Sequence, residues 1–179
     1  MALIDLGSNL NTVPTSGSCV HLIHTYYNKN NGHSIPNVAI VGLEKNKGFY
    51  ESPGGKPENG EFPHMTAARE MLEELSIHTT KKNITLVANR LKYIGSRLNQ
   101  DKRKYTHHFA LNLVGYSTTN KVYPEHVEFR HVPIVNMDTS IICDVHGKPL
   151  KGTVKGMNIA AIKVAKKMSL DTIHISELD

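Results

Sequence analysis

One arginine and a cluster of glutamates carry the clearest chemical pattern in the chain. The run Arg69-Glu70-Met71-Leu72-Glu73-Glu74-Leu75-Ser76-Ile77 follows a glycine-rich stretch, Gly54-Gly55-Lys56-Pro57-Glu58-Asn59-Gly60-Glu61. On a helix of about 3.6 residues per turn, Glu70, Glu73 and Glu74 are spaced i, i+3, i+4 and share one outward side, while Ala68, Met71, Leu72 and Leu75 share the other. The apolar side can dock on a sheet. Like charges at this spacing disfavour a helix by a few tenths of a kcal/mol each. A hard divalent cation among the oxygens removes that repulsion, and oxygen-rich sites suit Mg²⁺ or Mn²⁺. Arg69 stands four residues before Glu73 and can orient it through an ion pair. Three glutamates alone would read as the solvated face of an amphipathic helix. The glycines change this, because Gly54 and Gly55 let backbone approach a ligand closely and Glu61 adds a fourth carboxylate.

The elements that must position these groups follow from local pattern. Proline is well tolerated at the first helical position, so a helix is expected over residues 63–75. Residues 19–27 and 37–43 read as strands, with a turn between them at residues 28–34. Three further strands are expected at 91–98, 105–115 and 127–134, a hairpin at 143–150 with His146-Gly147 at its turn, and a second helix over 156–168. Residues 1–17, rich in Asn, Thr, Ser and Gly, read as a loosely ordered lead-in to one domain spanning 18–179. No linker divides the chain and nothing repeats. The fold class is α+β.

The chain has 179 residues, the size of one domain. Lys and Arg total 21 against 16 Asp and Glu, a formal charge of +5 with pI near 9.1. That excess suits an anionic partner such as a phosphate-rich ligand or RNA. No apolar run approaches the ~18 residues of a membrane span. Two cysteines, Cys19 and Cys143, cannot make a disulfide scaffold and fit a reducing compartment. The first ten residues carry Asp5 and no basic cluster, so the expected localisation is cytoplasmic.

Gly55, five residues, Glu61, seven residues and then residues 69–77 resemble the signature box of the Nudix hydrolases. Every position matches except the glycine after the paired glutamates, where Ser76 stands. That position falls just past the helix, where a left-handed backbone is common, so serine there bears on stability and removes no metal ligand. The resemblance implies an α/β/α sandwich with a mixed central sheet. It also implies hydrolysis of a nucleoside diphosphate linked to another group, or of a related polyphosphate. Glu70, Glu73 and Glu74 would hold Mg²⁺, or Mn²⁺, with the Gly54 carbonyl as a further ligand. Glu73 or Glu74 would be the general base. In some members a later loop supplies it, which makes Glu128 and Glu125 candidates too.

Substrate choice lies outside the box. The basic turn at Asn99-Gln100-Asp101-Lys102-Arg103-Lys104 resembles the corresponding stretch of diphosphoinositol and diadenosine polyphosphate hydrolases. Tyr93, 16 residues after Ile77, lies close to a tyrosine that marks many dinucleoside polyphosphate hydrolases. Lys56, Tyr93, Lys102, Arg103 and Lys104 are therefore the candidate substrate contacts. The leading substrate is a dinucleoside polyphosphate, with a diphosphoinositol polyphosphate or an mRNA cap as alternatives. A non-catalytic module binding nucleotide or RNA is the reading from another class. His107 and His108, adjacent in a strand, face opposite sides and cannot easily share a metal. Cys143 and His146 lack the second pair that a four-ligand zinc site needs. The histidines read as packing or surface residues.

Overall fold

Val20, Leu22, Ile23 and the intervening His21 are all buried, and only a strand covered on both faces accommodates such a run. In a computed structural model describing residues 2–117 and 126–178, this run lies in β1 (Thr15–Tyr27), inside a mixed sheet. β1 pairs antiparallel with β2 (Ser34–Glu44) and parallel with β6 (Lys104–Val114). β3 (Phe49–Glu51) follows β2, and β4 (Gly54–Gly55) pairs with the start of β1. β5 (Lys92–Asn99) flanks β6, and β7 (His126–Pro133) pairs with β2. Two short strands not expected from sequence, β8 (Thr153–Val154) and β9 (Thr172–His174), extend β3 and β6.

Side chains alternate across β1 and β6 and feed two cores. Val20, Leu22, Phe109, Leu111 and Leu113 pack with Ala67, Met71 and Leu72 of α1 (Pro63–Glu74) and Val87 of α2 (Lys81–Arg90). Ile23, Ala39, Val41, Ala110 and Val132 pack with Ile162 and Ala165 of α3 (Gly156–Lys166). Helices cover both faces, which is the α/β/α arrangement implied by the resemblance.

Two parts of the sequence reading change. The lead-in is not loose. Thr15 already belongs to β1, Gly7–Asn11 forms a 3₁₀ turn, and Ile4 exchanges backbone hydrogen bonds of 2.8 and 2.7 Å with Ser96. Gly95, at φ +139°, makes room for it, because a Cβ there would sit 2.7 Å from the Leu3 Cβ. The second change is α2, which the sequence reading left unassigned. Its N-cap Thr80 accepts a hydrogen bond from the Asn83 amide at 3.1 Å, and Val87 and Ala88 are buried beneath it.

α1 ends in the left-handed turn anticipated at Ser76, which sits at φ +56°. The Ser76 amide donates to the Glu73 carbonyl at 3.0 Å and the Ile77 amide to the Leu72 carbonyl at 2.8 Å. This is the paired pattern that closes a helix on a left-handed residue. Serine has a Cβ that disfavours this backbone, by about 1 kcal/mol. Ser76→Gly is therefore expected to raise the unfolding free energy by about 1 kcal/mol in urea titration, with an unchanged m-value.

Candidate functional site

The apolar face of α1 turns into the sheet and sets its acidic face along a cleft. Glu70 and Glu73 are partly exposed, whereas Glu74 is only 4% exposed. The expectation that all three carboxylates face outward is therefore corrected for Glu74. It packs under the glycine loop and accepts a hydrogen bond from the Gly54 amide at 3.1 Å. That loop is as tight as its glycines suggest. A Cβ on Gly54 would lie 2.6 Å from both the Cys19 Cβ and the Ser18 carbonyl, and a Cβ on Gly55 would collide with the Glu70 carboxylate.

Arg69 organises the acidic groups. Its Nε and Nη2 donate to the two oxygens of Glu61 at 2.8 and 3.0 Å, the bidentate geometry that suits guanidinium and carboxylate. Nη1 donates to Glu70 at 2.9 Å and to Glu73 at 3.2 Å, and Nη2 also reaches the Lys56 carbonyl at 2.9 Å. Burial opposes the Arg69 charge, but the Glu61 hydrogen bonds and the Glu70 charge outweigh it and raise its pKa. Burial likewise opposes ionisation of Glu61, and Arg69 reverses this to hold its pKa below the usual value.

These groups line a cleft of about 750 Å³ between α1, the glycine loop, β1, β5 and the start of α3. Its size is that of a small-molecule site. Glu70, Glu73 and Glu74 line it together with Gly54 and Gly55, and carboxylate and carbonyl oxygens are the donor class that suits a hard divalent cation. Lys47, Arg97 and Lys155 line it too. Glu51 lies there too, its pKa pushed up to about 7 by burial and by the neighbouring Glu44 carboxyl.

The remaining candidates divide. Lys56 lines the cleft. Lys102, Arg103 and Lys104 are exposed on the turn between β5 and β6 and do not line it, while Asn99 and Thr106 just below them do. Tyr93 is no base-stacking surface. It packs in the α1–α2 core against Phe109, and its hydroxyl meets the Leu6 amide at 3.3 Å and the Ser96 Oγ at 2.6 Å, anchoring the lead-in. Glu128 lies on β7 outside the cleft, taken up by the Tyr50 hydroxyl, Arg130 and Lys151. Glu125 falls outside the described residues. The sequence reading missed Arg97, whose buried Nε has no partner among the described residues. Its signal was the two-residue alternation of β5, which sets Arg97 and Asn99 on one face. His107 and His108 do face opposite ways, His107 bonding Ser96 and Thr15, His108 bonding His21 and Cys19.

Removing Arg69 leaves a crowd of carboxylates without its cation. Arg69→Met is expected to cost about 3 kcal/mol in chelator, measured by urea unfolding, with part recovered on adding Mg²⁺. Wild-type stability in chelator would contradict the assigned network.

The profile of the NUDIX domain matches residues 33–141. A pyrophosphohydrolase of Bacillus subtilis, BsRppH, superposes with a TM-score of 0.56 at 16% identity, covering 93% of this chain and 89% of that one. A MutT protein of Bacillus halodurans gives 0.51 at 14% identity, over 88% of each chain. A MutT/nudix family protein of Enterococcus faecalis gives 0.54 at 16% identity over 92% of this chain. The match spans 63% of that protein's length, under two thirds of it. Comparison with curated protein sequences gives no match. These likenesses establish a common fold, and the domain profile, matching more than half of the residues, establishes descent: the chain belongs to the Nudix family of hydrolases.

Proposed function

We propose that this protein is a Mg²⁺-dependent pyrophosphohydrolase that cleaves a polyphosphate, with a dinucleoside polyphosphate as the leading substrate. The observation that carries this reading is one cleft that holds both kinds of group. Glu70, Glu73 and Glu74 line it together with Arg97, Lys47 and Lys155, the two lysines paired with Glu44 and Glu51, so carboxylates for a divalent cation and cations for a polyanion meet in one cavity.

Glu70, Glu73, Glu74 and the Gly54 carbonyl would hold the ion. The chemistry a bound divalent ion supplies is neutralisation of phosphate charge and a lowered pKa for water. Glu73 commits Oε2 to Arg69, while its Oε1 has no protein partner among the described residues. Oε1 of Glu73 is therefore the assigned proton acceptor as water attacks phosphorus. Glu74, buried and hydrogen-bonded to Gly54, is better suited to holding the ion. Arg69 is a positioning residue that fixes Glu73 and Glu70. Glu128 is not assigned a role in the reaction, since its carboxylate is engaged at a distance from the cleft wall.

Arg97 supplies a charge-assisted contact for a phosphate of the substrate, and Lys102, Arg103 and Lys104 form an outer rim. A second reading, a diphosphoinositol polyphosphate substrate, is favoured by one feature: among the described residues, His108 is the only aromatic side chain that lines the cleft, and it offers little to stack a base. The rim residues suit either substrate.

Product chromatography with Mg²⁺ over dinucleoside polyphosphates, diphosphoinositols and capped RNA separates the substrates. Turnover of none of them, together with tight nucleotide binding, would identify a binding module instead. Glu73→Gln is expected to lower kcat by about 10²–10⁴-fold with unchanged thermal stability. Full activity in that variant would remove Glu73 as the base. Arg97→Gln is expected to raise KM by about tenfold with little change in kcat. Neutral replacement of Lys102, Arg103 and Lys104 together should raise it less, and an unchanged KM would remove the turn from the substrate site.

A further inference from the structure

The polar residues of β1 include a pair that the hydrolase chemistry does not use. Cys19 and His21 are two apart in a strand, so their side chains share a face. In the parallel register of β1 with β6, Cys19 is the direct partner of His108. Three side chains of ligand type, 87 to 89 residues apart across the strands, thus meet at one spot. Cys19 Sγ lies 3.2 Å from His108 Nδ1 and 3.7 Å from His21 Nε2, and the two ring nitrogens are 2.8 Å apart.

We propose that Cys19, His21 and His108 form a second metal site, taking a borderline-soft divalent ion of the Zn²⁺ class, in the floor of the cleft and separate from the carboxylates of α1. Thiolate and imidazole are the donors that select such an ion over Mg²⁺. Tetrahedral bonds of about 2.3 Å to sulfur and 2.0 Å to nitrogen place ligand atoms roughly 3.3–3.6 Å apart. The two sulfur–nitrogen separations bracket that range, and the two imidazoles need to part by only about half an ångström. Ion binding replaces the thiol proton, which leaves to solvent as the sulfur–metal bond forms; the proton held between His21 Nε2 and His108 Nδ1 moves to the far nitrogen of the ring that carries it, and no redox change is involved.

Two further observations support a ligand here. His21 Nδ1 meets the Ser52 Oγ at 2.7 Å, and the Ser52 amide donates to Asn158 Oδ1 at 2.6 Å. Such an outer partner fixes the ring of a metal-bound histidine and leaves its other nitrogen for the ion. Both imidazoles are held neutral by burial, the form that ligates. The nitrogen of His108 that faces Cys19 and His21 is Nδ1, while its Nε2, on the far edge of the ring, is buried without a partner among the described residues. Cys19 and His108 also line the cleft, so the fourth position beside three protein ligands is accessible to water or a phosphate oxygen. Burial raises the pKa of the Cys19 thiol, Glu51 and Glu74 add to it and Lys155 opposes it, while Lys155 and Arg97 are the cations near His108.

The test uses the full chain with Mg²⁺ in excess, titrated with Co²⁺ as a spectroscopic stand-in for Zn²⁺. The expected result is a near-ultraviolet thiolate-to-cobalt charge-transfer band that saturates at one ion per chain and is displaced by Zn²⁺. Cys19→Ser should abolish the band, and His21→Gln or His108→Gln should weaken binding at least about tenfold. Cys143→Ser and Glu73→Gln should retain it, which separates this site from the other thiol and from the carboxylates. Zinc-edge X-ray absorption of the wild-type protein gives a reading that needs no variant, with one sulfur and two imidazole ligands expected. No thiolate band, a band that follows Cys143, or a zinc shell of oxygen alone would overturn the proposal.

Discussion

A single buried guanidinium holds the site together. Arg69 spans from α1 to the loop before it, binding Glu61 in a bidentate fork while also reaching Glu70, Glu73 and the Lys56 carbonyl. Lysine could not reproduce this, since a point charge lacks the planar fork that meets carboxylates in fixed directions. Arg69 is the cation that Glu61, Glu70 and Glu73 share, with Glu74 packed close behind them under the glycine loop.

The sheet sets where that cluster can sit. β4 pairs with β1 through Ser18↔Gly55 and Cys19↔Gly54, and this brings the glycine loop against the helix. Glycine is required at both positions for steric reasons, since a methyl group at Gly54 meets β1 and one at Gly55 meets Glu70. The same strand pair therefore fixes the acidic helix face and the floor of the cleft. Displacing β1 by one residue would reverse its inward and outward side chains, burying Cys19 and His21 in the α1 core and turning Val20 and Leu22 toward α3.

What the sequence made legible was local. The α1 helix and the left-handed turn at Ser76 rest on residues within one or two turns of each other, and the structure places them as read, whereas of the three carboxylates Glu74 turns inward beneath the glycine loop. The Arg69 ion pair to Glu73 is of the same kind. Features that depend on register across the sheet were not legible. Nothing near Tyr93 in sequence indicates that its hydroxyl meets Leu6, and nothing near His108 indicates His21. The basic turn at residues 102–104 was visible as a charge run, but the cation that β5 gives to the cleft is Arg97, on the same face as Asn99. α2 was missed because its apolar face is short: only Val87 and Ala88 among its apolar residues are fully covered, and the Thr80 cap carries much of the signal.

A net charge of +5 and an acidic helix face are compatible because the α1 glutamates and the other cleft cations come from different elements. The glutamates come from one face of α1, where i, i+3, i+4 spacing gathers them, and the cleft cations come from β5, the loop after β2 and the residue before α3. On the proposed function, a polyanion entering such a cleft would be attracted to these cations and repelled by the α1 carboxylates until a metal ion occupied them, so metal first, substrate second would be the electrostatically favoured order. Where water is excluded, repulsion between bare carboxylates and phosphate grows as the effective dielectric falls. Substrate affinity would then follow metal occupancy through charge alone, without requiring any movement of the backbone.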